Sequence, residues 1–264
     1  MSHIYTEVSI DNRGVATLTL NRPDVHNAFD DHMIAELIQV LKDLANNDDV
    51  RMLILAANGK NFSAGADINW MRSMAEKNFG QNQADAEELA TLMHRLDKFP
   101  KPTIALVNGA AFGGAVGLVA CCDIAIAEEK ASFCLSEVRI GLIPAVISPY
   151  VMRAIGERQS RRYFITAERF SAATALDIGL VHQVAKDGEL QANADQFITG
   201  MLQNSPAAIG AAKALIHNIY NRKISNNVIA HTTQAIAEIR VSKEGQEGLT
   251  AFLSKRPPAW LGKE

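Results

Sequence analysis

The sequence predicts an α/β fold followed by an all-helical end, on three observations. Short apolar runs of strand length, at 50–57, 104–107 and 124–127, alternate with longer stretches whose apolar residues recur every three or four positions. From Gly188 onward the spacing is helical throughout. Between Lys101 and Asp123 there is no charged residue at all, which marks a buried centre for the chain. At 264 residues, 48% of them hydrophobic and 21% charged, the chain suits one large domain with a helical appendage. We divide it into a core over 1–190 and a helical region over 191–264.

Taken in order, residues 4–10 and 15–20 read as a hairpin, because Asp11-Asn-Arg-Gly14 places turn residues between two strand-like runs. Asn27 and Asp30 are candidate N-caps for a helix to about Ala45, with Ile34, Leu37, Ile38, Leu41 and Leu44 on one face. The 50–57 strand ends at Asn58-Gly59, and a loop over 60–67 leads to a short helix bearing Met71 and Met74. An amphipathic helix over 85–98 stops at Pro100 and Pro102. A strand at 104–107 then turns at Asn108-Gly109, and Gly113-Gly114 opens a buried helix that runs to Cys122. After the 124–127 strand, 133–140 reads as extended and 147–155 and 158–166 as helices. Ser171 and Gly179 frame a short helix, and 181–184 is a last strand. Ser205-Pro206 caps a helix in the C-terminal region.

Several function classes are set aside. A net charge of −3 gives no field that would gather nucleic acid or an anionic membrane. The Arg158–Arg162 cluster reads as a solvated helix face rather than an RNA site. The uncharged stretch is long enough to span a bilayer, with Gly109, Gly113 and Gly117 at GxxxG spacing, but Asn108-Gly109 breaks it and no second span exists. Three cysteines match no zinc or disulfide spacing, the histidines show no HExxH pattern, and no metal is expected. No GxGxxG or Walker loop anchors a nucleotide, and NFSAG (61–65) lacks the first glycine of a nucleophile elbow. The beginning MSHIYTEVSID shows no export signal, so the expected compartment is the cytoplasm.

Two glycine-bearing loops each follow an apolar strand: SAGA (63–66) and Gly113-Gly114. The first amides of a helix lack internal partners and sit at its positive end, so one N–H from each loop can meet on a single oxygen. The other reading of the glycines is close packing. Glu137 is the acid/base candidate, since burial within FCLSEV (133–138) would raise its pKa toward working pH. The alternative is an edge-strand glutamate that faces water or pairs with Arg139.

The motifs KNFSAGADI (60–68), PTIALVNGAAFGGA (102–115), CDIAI (122–126), FCLSE (133–137) and GLIP (141–144) together resemble the crotonase, or enoyl-CoA hydratase/isomerase, superfamily. The resemblance covers nearly the whole chain. It implies a spiral of ββα repeats, a helical C-terminal trimerisation region, and homotrimers often paired as hexamers. It implies an acyl-CoA substrate, which carries its own coenzyme A, and no permanently bound cofactor. Matched by position, the amides of Ala66 and Gly114 would hold the thioester oxygen as an enolate forms. Ala64, Asp67 and Ile68, with Asn69 beside them, would line the CoA path. Hydratases of this family carry two glutamates; here the second is Glu137, but Gly117 stands at the first position. A glycine-rich turn usual after Ile143-Pro144 is replaced by AVIS (145–148). Within the family the chain looks most like bacterial 3-methylglutaconyl-CoA hydratases of leucine breakdown. The second reading, favoured by the single glutamate, is a Δ3,Δ2-enoyl-CoA isomerase, and a non-catalytic acyl-CoA- or RNA-binding relative is the third. If 133–140 is extended, Arg139 shares a strand face with Glu137 and is a candidate partner for a substrate carboxylate.

Overall fold

The structure, a computed structural model, describes residues 4–261. It opens with antiparallel strands β1 (Thr6–Ile10) and β2 (Val15–Leu20). Asp11 builds the turn between them, its carboxylate accepting from the Arg13 and Val15 amides at 2.8 and 3.0 Å. Helix α1 (Asp31–Ala45) follows, capped by Asp30, which accepts from the Met33 amide at 2.8 Å. Asn27, the other expected cap, does a different job. Fully buried at a φ of 53°, it donates to the Asn58 and Asn61 carbonyls at 2.9 Å each and accepts from the Arg22 amide at 2.7 Å. It ties the loop before α1 to the loop after the next strand.

That strand is β3 (Met52–Ala57), followed by α2 (Ile68–Glu76) and α3 (Phe79–Asp97). α3 starts well ahead of residue 85 because Asn78 and Gln81 form a capping box. Next come β4 (Thr103–Val107), β5 (Ala110–Phe112) and α4 (Gly114–Cys121). Asp123 ends the uncharged stretch for a reason: its carboxylate accepts from the Thr103 amide and hydroxyl at 2.8 and 3.0 Å, binding the end of α4 to the start of β4. Then follow β6 (Ile124–Glu128), β7 (Ser132–Cys134), α5 (Ser148–Thr166), β8 (Phe170–Ser171), α6 (Ala172–Asp177) and β9 (Gln183–Ala185). Helices α7 (Leu190–Leu202), α8 (Pro206–Ile219), α9 (Asn226–Val241) and α10 (Lys243–Leu253) complete the order.

Six strands form one sheet in the order β1-β2-β3-β4-β6-β9, parallel from β2 onward. Its central strand β4 is buried at every residue, which is why 103–107 reads as a plain apolar run. A second sheet pairs β5 with β7 in parallel and β7 with β8 antiparallel. β4-β5-α4 and β6-β7-α5 are therefore successive ββα repeats, each sending its first strand to the large sheet and its second to the small one. Isolated bridges, Ser63 with Ala111 and Phe29 with Ala66, carry the small sheet's pairing back to the loops after β3 and β2.

The extended reading of 133–140 does not hold. Pairing stops at Cys134, and Glu137–Ile140 is a 3-10 turn closed by Gly141 at a φ of 76°. The helices expected at 147–155 and 158–166 are the halves of α5, which meet at Gly156 in a non-helical conformation (φ 75°, ψ 163°).

The chain divides into two compact units. One runs to Phe99 and resumes over Thr103–Ala194; the other holds Pro100–Pro102 and the chain from Asp195. The first has the hydrophobic core, with Leu18, Leu53, Ala105, Val116 and Phe133 among its fully buried members. In the second, Lys213 donates to the Lys101 carbonyl at 3.2 Å and the Trp260 indole to the Gln203 carbonyl at 3.0 Å.

Candidate active site

The two glycine-bearing loops are neighbours. Ser63 and Ala111 pair through bonds from the Ser63 amide to the Ala110 carbonyl and from the Phe112 amide to the Ser63 carbonyl, both 3.0 Å. Phe29 joins the same centre from a third loop: its amide donates to the Gly65 carbonyl at 2.8 Å, and its carbonyl accepts from Asp67 at 2.7 Å. The Phe29 ring also lies under Gly114, 3.6 Å from where a Cβ would stand. One residue thus touches both loops.

The amides sort themselves. In the first loop Ala64 donates to the His26 carbonyl, Gly65 to the Ser63 hydroxyl and Asp67 to Phe29, which leaves Ala66 alone without an acceptor among the described residues. In the second, Gly113 donates to the Cys134 carbonyl at 2.8 Å and Val116 to the Gly113 carbonyl, leaving Gly114 and Ala115 at the positive end of α4. Ladder and caps have used most of the neighbouring donors, and Ala66 and Gly114 are among those left over.

Glu137 stands against this turn. Its Oε1 lies 3.3 Å from where a Gly113 Cβ would project, and Gly113 holds a φ of 53° that a side chain would strain. Its Oε2 is buried with no hydrogen-bond partner among the described residues. Burial pushes the carboxyl pKa above the usual glutamate range, and a bond from its own backbone amide offsets this only in part. The sequence placed the residue and the direction of its shift, but on a strand rather than on a 3-10 turn.

Asp67 caps α2, accepting from the Asn69 amide at 2.8 Å and the Trp70 amide at 3.5 Å, while its second oxygen faces Arg22 at 3.4 Å. Arg22 also pairs with Asp30 at 2.8 Å, so one guanidinium holds the caps of α1 and α2 together. Ile68 is 64% exposed and Asn69 is exposed beside it, on the outer side of the α2 start.

Arg139 is not beside Glu137. Residues two apart in a 3-10 turn point in different directions, and the Arg139 guanidinium donates to the Ala167 carbonyl at 2.6 Å. Arg139→Ala is therefore expected to leave KM for a carboxylated substrate unchanged and to cost about 1–2 kcal/mol of stability, read by steady-state kinetics and thermal denaturation.

Gly117 lies one helical turn beyond Gly113. A Cβ there would meet Ile147 Cγ2 at 2.3 Å and Cβ at 2.8 Å, and Met93 Sδ at 3.2 Å. Ile147 and Met93 are both buried. The AVIS segment thus delivers an isoleucine into the notch that the missing side chain leaves. Neither Ile147 nor Met93 stands out in the sequence, because the pairing joins distant segments and shows only as two unremarkable apolar residues. Trp70 opens a stretch, 70–83, in which the sequence suggests a pocket wall without a readable code; it is 8% exposed, and its indole Nε1 is buried without a partner among the described residues. Among the described residues there is no cluster of three or more metal-ligating side chains, and no helix is long and apolar enough to cross a membrane.

Spare amides on two neighbouring loops, beside a buried carboxylate oxygen without a hydrogen-bond partner among the described residues, are the kinds of group that oxyanion stabilisation with proton transfer requires. Residues 11–263 match the enoyl-CoA hydratase/isomerase family model, and the chain belongs to that family, with its crotonase fold. The crystal structure of an enoyl-CoA hydratase from Shewanella pealeana superposes with a TM-score of 0.95 at 56% identity, covering 97% of this chain and 96% of that one. The 2,3-dehydroadipyl-CoA hydratase of Escherichia coli is 31% identical over 94% of this chain and 96% of its own length. A trans-2-decenoyl-[acyl-carrier-protein] isomerase of Streptococcus mutans is 30% identical over 97% of each. The family is enzymatic and acts on CoA thioesters, with hydration and double-bond isomerisation both among its reactions.

Proposed function

We propose that this protein is a hydro-lyase that adds water to a 2-enoyl-CoA, and that its substrate is 3-methylglutaconyl-CoA. The observation that carries the reading is the buried, partnerless Glu137 Oε2 at the Gly113-Gly114 turn. In this mechanism the amides of Ala66 and Gly114 hold the thioester oxygen. Glu137 takes a proton from water as the water oxygen bonds to C3, and the C2=C3 electron pair moves onto the thioester as an enolate. The enolate then collapses and C2 takes the proton back from Glu137. The proton accepted equals the proton returned, so one carboxylate closes the cycle. Ala64, Asp67, Ile68 and Asn69 border the CoA path, and coenzyme A arrives with the substrate rather than as a resident cofactor.

The dicarboxylic acyl group is supported by sequence likeness to bacterial 3-methylglutaconyl-CoA hydratases and by the E. coli relative's name. The test is a comparison of kcat/KM for 3-methylglutaconyl-CoA and crotonyl-CoA. An advantage of at least about 10-fold for the former is expected, and equal values would remove the substrate assignment. A second reading, a Δ3,Δ2-enoyl-CoA isomerase, is favoured by Ile147 filling the place beside Gly117, where no second acid can hold a water. The proposal extends to assembly as a homotrimer or hexamer through the 191–264 region, whose Ile224, Val241, Phe252 and Leu253 are 88%, 77%, 82% and 79% exposed.

A further inference from the structure

Among the described residues, two buried side-chain polar atoms have no hydrogen-bond partner: Glu137 Oε2 and Trp70 Nε1. Leaving a buried polar group unpaired is unfavourable, and native proteins do it rarely and for a reason. The reason at Glu137 is the proton it carries. At Trp70 no such reason has yet appeared. An indole N–H is a donor only, so what it lacks is an acceptor.

The position of Trp70 narrows the choice. Asp67, next in the chain to the spare amide of Ala66, caps α2 and accepts from the Trp70 amide, which fixes the first turn of the helix to the oxyanion loop. Trp70 is the one buried residue of α2 and lies one turn beyond Ala66, while Ile68 and Asn69 on the same turn face outward. It shares the core with Phe29, whose ring lies under Gly114, and with Met93, which abuts the Gly117 notch. The Arg139 guanidinium donates to the Ala167 carbonyl, and that of Arg169 lies over the Phe112 ring, 4.8 Å from its centroid.

We infer that the Trp70 indole N–H is the hydrogen-bond donor that recognises the distal carboxylate of the acyl group, making Trp70 a specificity-determining residue. The inference rests on the proposed hydration of a carboxylated enoyl-CoA. Trp70→Phe keeps an aromatic ring and removes only the donor and the benzo edge. It is expected to lower kcat/KM for 3-methylglutaconyl-CoA by about 10–100-fold while changing that for 3-methylcrotonyl-CoA, which lacks the carboxylate, by less than about 3-fold. Equal losses on both thioesters, or none, would overturn it, since a merely structural tryptophan moves both together. A second reading needs no turnover. The chain has two tryptophans, and in a Trp260→Phe background Trp70 is the sole indole emitter. Glutaryl-CoA, saturated and carboxylated, is expected to shift its emission where butyryl-CoA does not. Binding of both with identical spectra would overturn the inference. If the parent protein hydrates neither thioester, the proposed function fails by itself, and the fluorescence comparison still decides the role of Trp70.

Discussion

Glu137→Gln is expected to lower kcat at least about 1,000-fold with the CoA ester still bound, because the amide keeps the shape of the carboxyl and cannot carry the proton. The same substitution is expected not to destabilise the fold at neutral pH. The sign follows from linkage. Glu137 is held above the ordinary glutamate pKa by burial, so between the unfolded and folded values the native state binds more protons than the unfolded state. The parent's stability contribution from this group is thus fully present below the unfolded pKa and is lost as pH rises through the folded one. Glutamine has no such dependence, so the variant's advantage in melting temperature should grow as pH rises above the ordinary glutamate pKa and vanish in acid. For activity, the acid limb of kcat/KM in the parent should lie above the range of an ordinary glutamate. A melting temperature that falls on substitution at pH 8 would show that the Glu137 carboxylate is a structural partner.

How much of this was legible in the sequence depends on where each signal lives. The Gly113-Gly114 turn, the buried helix after it and Asp30 as a cap are local, and each has a residue type that suits its backbone. Glu137 was legible as a carboxyl in an apolar run, but its 3-10 turn was not, because Gly141 closes that turn from four residues away. Of the small sheet only part of β7 falls within a stretch read as extended: β5, β7 and β8 have two or three residues each, too few to show any alternation. That sheet is what brings the SAGA loop to Gly114, through backbone bonds between Ser63 and Ala111 that no side chain announces. Asn27 looked like a cap because asparagine suits caps, while its amide was taken by two distant carbonyls.

Gly117→Ala is expected to destabilise the fold by about 3 kcal/mol. The added Cβ would enter within 2.3 Å of Ile147 Cγ2, and both neighbouring side chains are buried, so neither can swing into solvent. For a chain of this size the loss corresponds to a melting temperature lower by roughly 6–12 °C. Ile147→Gly empties the notch and is itself destabilising through the cavity it leaves. The double variant should lose less than the two single losses combined, with a coupling of at least about 1 kcal/mol in denaturant titrations. Additive losses would mean that residues 117 and 147 do not share the space. The same pair gives access to the missing acid: Gly117→Glu folds only together with Ile147→Gly, and then places a second carboxyl one helical turn from Gly113.

The most direct test of single-carboxylate hydration is mass spectrometry of 2-enoyl-, 3-enoyl- and 3-methylglutaconyl-CoA after incubation in heavy water, with Glu137→Gln alongside. The predicted result is a 3-methylglutaconyl-CoA product heavier by one heavy water, with one deuterium fixed at C2, and no such product from the variant. Deuterium uptake or double-bond migration without added water would instead make the protein an isomerase working through the same glutamate. Hydration that survives Glu137→Gln would contradict the account, because the proton would then travel through another group.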